Sequence, residues 1–298
     1  MGVEVEGLVR RFGERVALDG VTFAVAKGEV FGLLGPNGGG KTTLFRILST
    51  ALEATSGSAR VAGIDVRDPA VRRRIGVVFQ APALDKKLTV SENLLHHGHL
   101  YGLGGRGLRE RIGEMLGMFG LTDRERDRVE TLSGGLQRRV EIAKGLLHRP
   151  EVLLLDEPST GLDPGARRDL WEQLRGLSGV TVLLTTHLLE EAEKCGRLGI
   201  LHKGKLVALG EPHALRSEIG GDVVTVRSAD PAGLAEAIRA KFGVEPRVVD
   251  GTVRLSRERG HELVGPIAEA FGGRVESVTV AKPSLEDVFH ARTRESWS

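Results

Sequence analysis

The sequence is short of several things, and each shortage excludes something. Among 298 residues there is one cysteine, Cys195, so no disulfide forms within the chain and a reducing compartment fits. The longest apolar runs, near residues 152–155 and 180–184, fall far short of the roughly 20 residues that span a bilayer. Any membrane role is therefore expected to need another chain. Charge of one sign is also missing: 42 Lys and Arg stand against 40 Asp and Glu, a formal net charge of +2, which does not call for a nucleic-acid partner. The opening Met1-Gly2-Val3-Glu4-Val5-Glu6 has neither a basic start nor an apolar run, so no secretory signal is expected. No Ser or Thr stands where a myristoylation motif wants it. The two asparagines, Asn37 and Asn93, are followed by Gly38 and Leu94, which excludes an Asn-Lys-x-Asp guanine motif. No heptad run, internal repeat or low-complexity tract is present. A hydrophobic content of 40% suffices for a core, and the length suits one large domain plus a small one.

The most telling stretch is Gly35-Pro36-Asn37-Gly38-Gly39-Gly40-Lys41-Thr42, which fits G-x-x-x-x-G-K-[ST]. An apolar run at 30–34 reads as a buried strand before it, and Thr43-Leu44-Phe45 opens a helix after it. Glycines let successive N–H groups face one concavity, and a helix N-terminus adds partial positive charge, which together suit a phosphate chain. Lys41 is expected to reach the β- and γ-phosphates, and the Thr42 hydroxyl to ligate Mg²⁺.

Four short apolar runs end in polar tips: at Gly35, at Gln80, at Asp156-Glu157 and at Thr185-Thr186-His187. Continuous apolar runs separated by helical segments suggest parallel strands buried on both faces. Ligands in such sheets bind beyond the carboxyl ends of the strands, so the four tips are expected to converge. Asp156, after Val152-Leu153-Leu154-Leu155, is placed to hold Mg²⁺, and Glu157 to polarise an attacking water as a general base. Leu132-Ser133-Gly134-Gly135 reads both as an N-cap opening a helix over 136–148 and as an anion site.

The stretches 3–6, 21–25 and 58–61 alternate with period two and read as an antiparallel sheet with one wet face. Residues 88–149 are mostly helical, broken by a loop at 102–107. Beyond Pro212, strands are expected at 223–226, 247–249, 253–255 and 275–280, and helices at 232–242 and 261–271. That β-α-β-β-α-β order suggests a small ferredoxin-like unit, with a boundary near 216–221.

With these motifs in order, the chain resembles the ATP-binding cassette (ABC) ATPases from about residue 3 to 212. The resemblance implies an α/β P-loop NTPase fold with a mostly parallel sheet core, an antiparallel β subdomain and a helical subdomain at about 82–150. The nucleotide-binding domain would cover 1–216, and a small C-terminal α+β accessory or regulatory domain 217–298. It implies two ATP molecules sandwiched in a homodimer or ABC heterodimer, where the loop Gly35 to Thr43 faces Ser133, Gly134 and Gly135 of a second subunit. Gln80 would contact Mg²⁺ and the attacking water and sense a separate transmembrane permease. Asp163, in Ser159-Thr160-Gly161-Leu162-Asp163, would lie in the loop coupling the two sites, and His187 would contact the γ-phosphate. Phe12 stands where the family usually stacks a tyrosine on adenine, and it keeps the π-face. Gly39 is a second departure, since relatives often carry Ala or Ser. With Lys41, Glu157, Gln80 and His187 intact, hydrolysis is expected.

Leu88-Thr89-Val90-Ser91-Glu92-Asn93-Leu94, Leu100-Tyr101-Gly102-Leu103 and Pro283-Ser284-Leu285-Glu286-Asp287-Val288-Phe289 look like the daunorubicin-resistance type of ATPase subunit. That implies export, and a place on the cytoplasmic face of the membrane. Ser284 also reads as an N-cap with a carboxylate three residues on. The alternative is a soluble ABC protein clamping a ribosome or nucleic acid, though such proteins usually carry two cassettes or coiled-coil insertions. His96, His97 and His99 read as a solvated or partner-facing patch, Cys195 as a structural thiol despite Lys194 and Arg197 nearby, and Arg72-Arg73-Arg74 and Arg138-Arg139 as helix faces.

Overall fold

The structure, a computed structural model, describes residues 1–293, 295 and 297. The chain falls into two compact units, Met1–Leu206 and Val207–Ser298.

The first unit begins with a hairpin of β1 (Val3–Phe12) and β2 (Arg15–Val25), then β3 (Val30–Leu34), α1 (Lys41–Leu48), β4 (Ser56–Val61), β5 (Ile64–Asp65) and β6 (Ile75–Val78). Three helices follow, α2 (Val90–Leu100), α3 (Gly105–Met118) and α4 (Gly134–Leu146). Then come β7 (Val152–Asp156), α5 (Pro164–Arg175), β8 (Thr181–Thr186), α6 (Leu189–Ala192) and β9 (Arg197–His202), and the division at Leu206 falls within the next strand, β10 (Lys205–Gly210). The largest sheet has the order β10-β9-β3-β8-β7-β6, in which β9, β3, β8, β7 and β6 pair in parallel. An antiparallel sheet has the order β2-β1-β4-β5.

The expected apolar strands are buried on both faces because their successive side chains enter two different cores. On β7, Leu153 and Leu155 join the core formed with α2 to α5, whereas Val152 and Leu154 join the core shared with α1 and the antiparallel sheet. Neither face of the strand meets water, so no polar residue interrupts it until Asp156. The antiparallel strands are longer than their alternation suggested. Register shifts between Val5 and Leu8, and again up to Arg11, break the period of two while the ladder continues. The helical region also differs: α3 starts at Gly105, inside the expected loop, and α4 starts at Gly134 rather than Leu136. Strand β9 was not anticipated, since Gly199 interrupts its short apolar run.

The second unit carries α7 (Pro212–Ser217), β11 (Asp222–Arg227), α8 (Pro231–Phe242), β12 (Arg247–Val249), β13 (Thr252–Arg257), α9 (Val264–Phe271), β14 (Ser277–Ala281) and α10 (Leu285–Thr293). From β11 to β14 the order is β-α-β-β-α-β, and the antiparallel sheet runs β12-β13-β11-β14. The division at residue 206 lies ten residues before the expected 216. Helix α7 packs against α10, so it belongs with the second unit. Ser284 does cap α10: Asp287 N–H donates to Ser284 Oγ (3.2 Å) and Ser284 N–H to Asp287 Oδ2 (2.8 Å).

Candidate functional site

The turn between β3 and α1 folds tightly against one carbonyl. A Cβ on Gly35 would stand 2.2 Å from Leu201 O, and one on Gly39 2.9 Å from the same atom. Gly39 is therefore fixed by close approach of main chain, a stronger reason than open loop geometry alone. No side chain caps α1, so its first amides have no capping partner. The depression there is lined by Arg15, Ala17, Asn37, Gly38, Gly40, Lys41, Thr42, Thr43 and Glu157. Amides at a helix N-terminus with a buried ammonium beside them suit a polyanion.

Lys41 is 4% exposed, and its Nζ donates to Gly35 O (2.6 Å) and Pro36 O (3.0 Å) and lies 3.8 Å from Glu157 Oε1. Burial holds its pKa below the usual lysine value, against the pull of Glu157 and Asp156. Two further expected residues meet on the other oxygen of Glu157. Gln80 Nε2 donates to Oε2 at 3.2 Å, and His187 Nδ1 stands 3.2 Å from it without the alignment of a hydrogen bond. The carboxylates end β7, and Glu157 has a left-handed backbone (φ 45) that turns its side chain into this cluster. Burial raises the pKa of Asp156, and the Thr185 hydrogen bond offsets part of that rise. Asp156, a buried carboxylate only partly compensated, does not itself line the depression but adjoins Glu157, which lines it together with Thr42; oxygen donors of this kind fit a hard divalent cation such as Mg²⁺.

Several residues to which sequence reasoning gave no role of their own hold this arrangement. Thr185 pairs with Asp156 across β7 and β8; its hydroxyl donates to Asp156 Oδ1 (2.6 Å) and accepts from Glu157 N–H (2.9 Å). Thr160 Oγ1 donates to Glu157 Oε2 (3.2 Å). Glu191, 1% exposed, accepts from Ser159 and from Thr186 (2.6 Å), tying the segments that carry Asp163 and His187. Arg15 and Ala17 line the depression. Only the polar character of Thr185 and Thr186 within an apolar strand signalled any of this.

Other expected residues lie apart. Ser133, Gly134, Gly135 and Asp163 do not line the depression. Ser133 is exposed and caps α4 by accepting from Leu136 N–H (3.3 Å), and Asp163 caps α5 by accepting from Gly165 and Ala166 (2.9 Å each). Exposed caps of this kind suit a surface offered to a second subunit. Phe12 is 47% exposed, opposite Arg15 in the hairpin, with the Arg10 guanidinium 4.5 Å from its ring centroid.

The remaining features resolve as follows. His96 and His99 are exposed, while His97 is half-buried near Tyr101 and His148, and burial lowers its pKa to about 4. Lys194 and Arg197 do not activate Cys195; burial pushes its thiol up to about 12. Arg138 and Arg139 both lie on α4, as a helix face requires, but Arg138 is buried and paired with Glu141 at 2.8 Å.

A family model described as ABC transporter matches residues 18–160. The chain is 43% identical over 304 residues to a daunorubicin resistance ATP-binding protein of Streptomyces coeruleorubidus, covering 96% of this chain and 93% of that one. It is 42% identical over 295 residues to the Nod factor export ATP-binding protein I of a Rhizobium species, covering 97% and 96%. A dimeric ATP-binding cassette solved in a post-hydrolysis state with ADP and Pi superimposes with a TM-score of 0.62 at 29% identity, covering 70% of this chain and 98% of that one. The phosphate loop, the paired carboxylates of β7 and the serine-capped α4 thus occur in a chain that belongs to the ABC transporter ATPases, within their drug-resistance exporter subgroup.

Proposed function

We propose that this ATPase powers export of a substrate through a separate membrane permease, and that Glu157 is the base that activates water in its site. The observation that carries the proposal is the meeting at one carboxylate: Lys41 on Oε1, Gln80, Thr160 and His187 around Oε2. A base held from several directions is oriented before substrate arrives, which is what phosphoryl transfer to water requires. Lys41 binds and neutralises phosphate charge, the α1 amides and the loop Gly35 to Thr43 cradle the chain, Phe12 stacks on adenine, and Gln80 and His187 hold the water and the γ-phosphate. Thr42, Asp156 and Gln80 would hold Mg²⁺, which when bound neutralises charge on the phosphates.

In this reading Ser133, Gly134, Gly135 and Asp163 serve the partner's nucleotide in a sandwiched dimer. The exposure of Ser133, Gly134 and Asp163 at helix N-termini supports it, as does the dimeric state of the similar cassette. Among the described residues no helix is long and apolar enough to cross a membrane, which is consistent with a permease on another chain and a peripheral place on the cytoplasmic face. The similar proteins named for drug resistance and Nod factor export support the direction of transport. The C-terminal β-α-β-β-α-β unit, ferredoxin-like in its order, is assigned to dimer stabilisation or regulation.

The test is gel filtration of Glu157→Gln with and without Mg-ATP. ATP should convert monomer to dimer, with turnover reduced at least ~100-fold, the scale of a lost general base. Wild-type turnover by Glu157→Gln would remove Glu157 from the role.

A further inference from the structure

The segment from β6 to α2 holds Gln80, yet between Val78 and Val90 it belongs to no strand or helix of its own. Its main chain is instead held by α4. Arg138 donates through one nitrogen to Phe79 O (2.9 Å) and Glu141 (2.8 Å), and through the other to Gln80 O (3.0 Å). The second oxygen of Glu141 accepts from Ala83 N–H (2.6 Å), and Lys144 Nζ donates to Ala83 O (2.5 Å). Spaced three residues apart, Arg138, Glu141 and Lys144 lie along one stripe of α4.

Two features indicate that this clamp is built for position rather than stability. Arg138 and Glu141 are 6% and 2% exposed, and a buried ion pair is commonly no more stabilising than an apolar pair of the same size. Here each charged group also hydrogen-bonds the backbone at or near Gln80. The second feature is the packing of α4 on β6: a Cβ on Gly76 would stand 2.2 Å from Gly145 O. Helix and strand are in main-chain contact just before the strand delivers Gln80.

We propose that Arg138 and Glu141 are positioning residues for Gln80, fastening segment 79–83 to α4 so that the helix capped by Ser133 and the amide facing Glu157 move as one piece. The inference rests on the role given to Gln80 above. Its consequence is that a displacement of Ser133-Gly134-Gly135, the residues offered to a second subunit, reaches Gln80 in the chain's own site through these side chains.

A double-mutant cycle on kcat in the full-length chain, read by phosphate release, tests this. Arg138→Met should lower kcat ~10-fold with KM for Mg-ATP within about twofold of wild type. In a Gln80→Ala background the same change should alter kcat by less than ~2-fold, although its cost in thermal stability should persist. Arg138→Lys keeps the charge but not the fork, and should restore part of kcat. It also serves as the cycle's variant if Arg138→Met fails to fold. Equal loss in both backgrounds, or a wild-type kcat for Arg138→Met, overturns the positioning role while leaving Gln80 in place. A wild-type kcat for Gln80→Ala overturns the role of Gln80 itself, and the proposal with it.

Discussion

Replacing Thr185 by valine isolates one hydroxyl that serves both carboxylates of the site. The side chain is fully buried, and valine matches its shape. The change leaves Glu157 N–H without its acceptor and Asp156 Oδ1 without its donor, bonds of 2.9 and 2.6 Å. A buried donor left unpaired costs about 1–3 kcal/mol, so Thr185→Val should lose stability on that scale. The larger effect should appear in function. The Thr185 bond restrains the burial-driven rise of the Asp156 pKa, and its loss should raise that pKa further and weaken the hold on Mg²⁺. Partners that orient a metal ligand are worth about 10–100-fold in affinity or activity. We therefore expect the Mg²⁺ concentration for half-maximal phosphate release to rise by ~10-fold or more, equivalent to about 1.4 kcal/mol. Thr185→Ser, which keeps the hydroxyl, should stay close to wild type. A Thr185→Val protein with unchanged Mg²⁺ dependence and unchanged kcat would refute the link from Thr185 through Asp156 to the metal.

Two further outcomes are expected. Glu191→Ala should lose about 2 kcal/mol or more in urea unfolding, because the Ser159 and Thr186 hydroxyls lose a buried acceptor; equal stability would mean that water replaces the carboxylate. The folded Cys195 thiol keeps its proton to about 12, whereas an unfolded one releases it near 9.0. Stability should then fall as pH rises through that window, by up to about 1.4 kcal/mol per unit, and Cys195→Ala should remove this contribution. A thiol that reacted readily with maleimide at pH 8 without unfolding would contradict its burial.

What could be read from the sequence was contiguous. The loop Gly35 to Thr43 and the tip Asp156-Glu157 carry their chemistry within a few residues, and the burial of β7 on two faces writes itself as four apolar letters. What escaped depends on register across the chain. Thr185 meets Asp156 only because β7 and β8 pair in parallel at that rung. Arg138 was read only as part of a basic helix face, since nothing near it in sequence announces that α4 buries it against segment 79–83. The antiparallel strands were underestimated because bulges disrupt alternation without ending the ladder. Helix α3 was started too late, because glycine at 105 reads as a breaker when it stands at a helix start.

The carbonyl of Leu201, against which Gly35 and Gly39 are pressed, has a consequence for how this loop can vary. A wall made of main chain cannot be trimmed by mutation. Any residue at 201 presents the same oxygen, so the shape of the phosphate cradle is insulated from drift on β9, and the whole steric burden falls on the two glycines. Introducing bulk at 35 has no compensating change available at 201. A larger residue at 39 is accommodated only if the strand itself shifts.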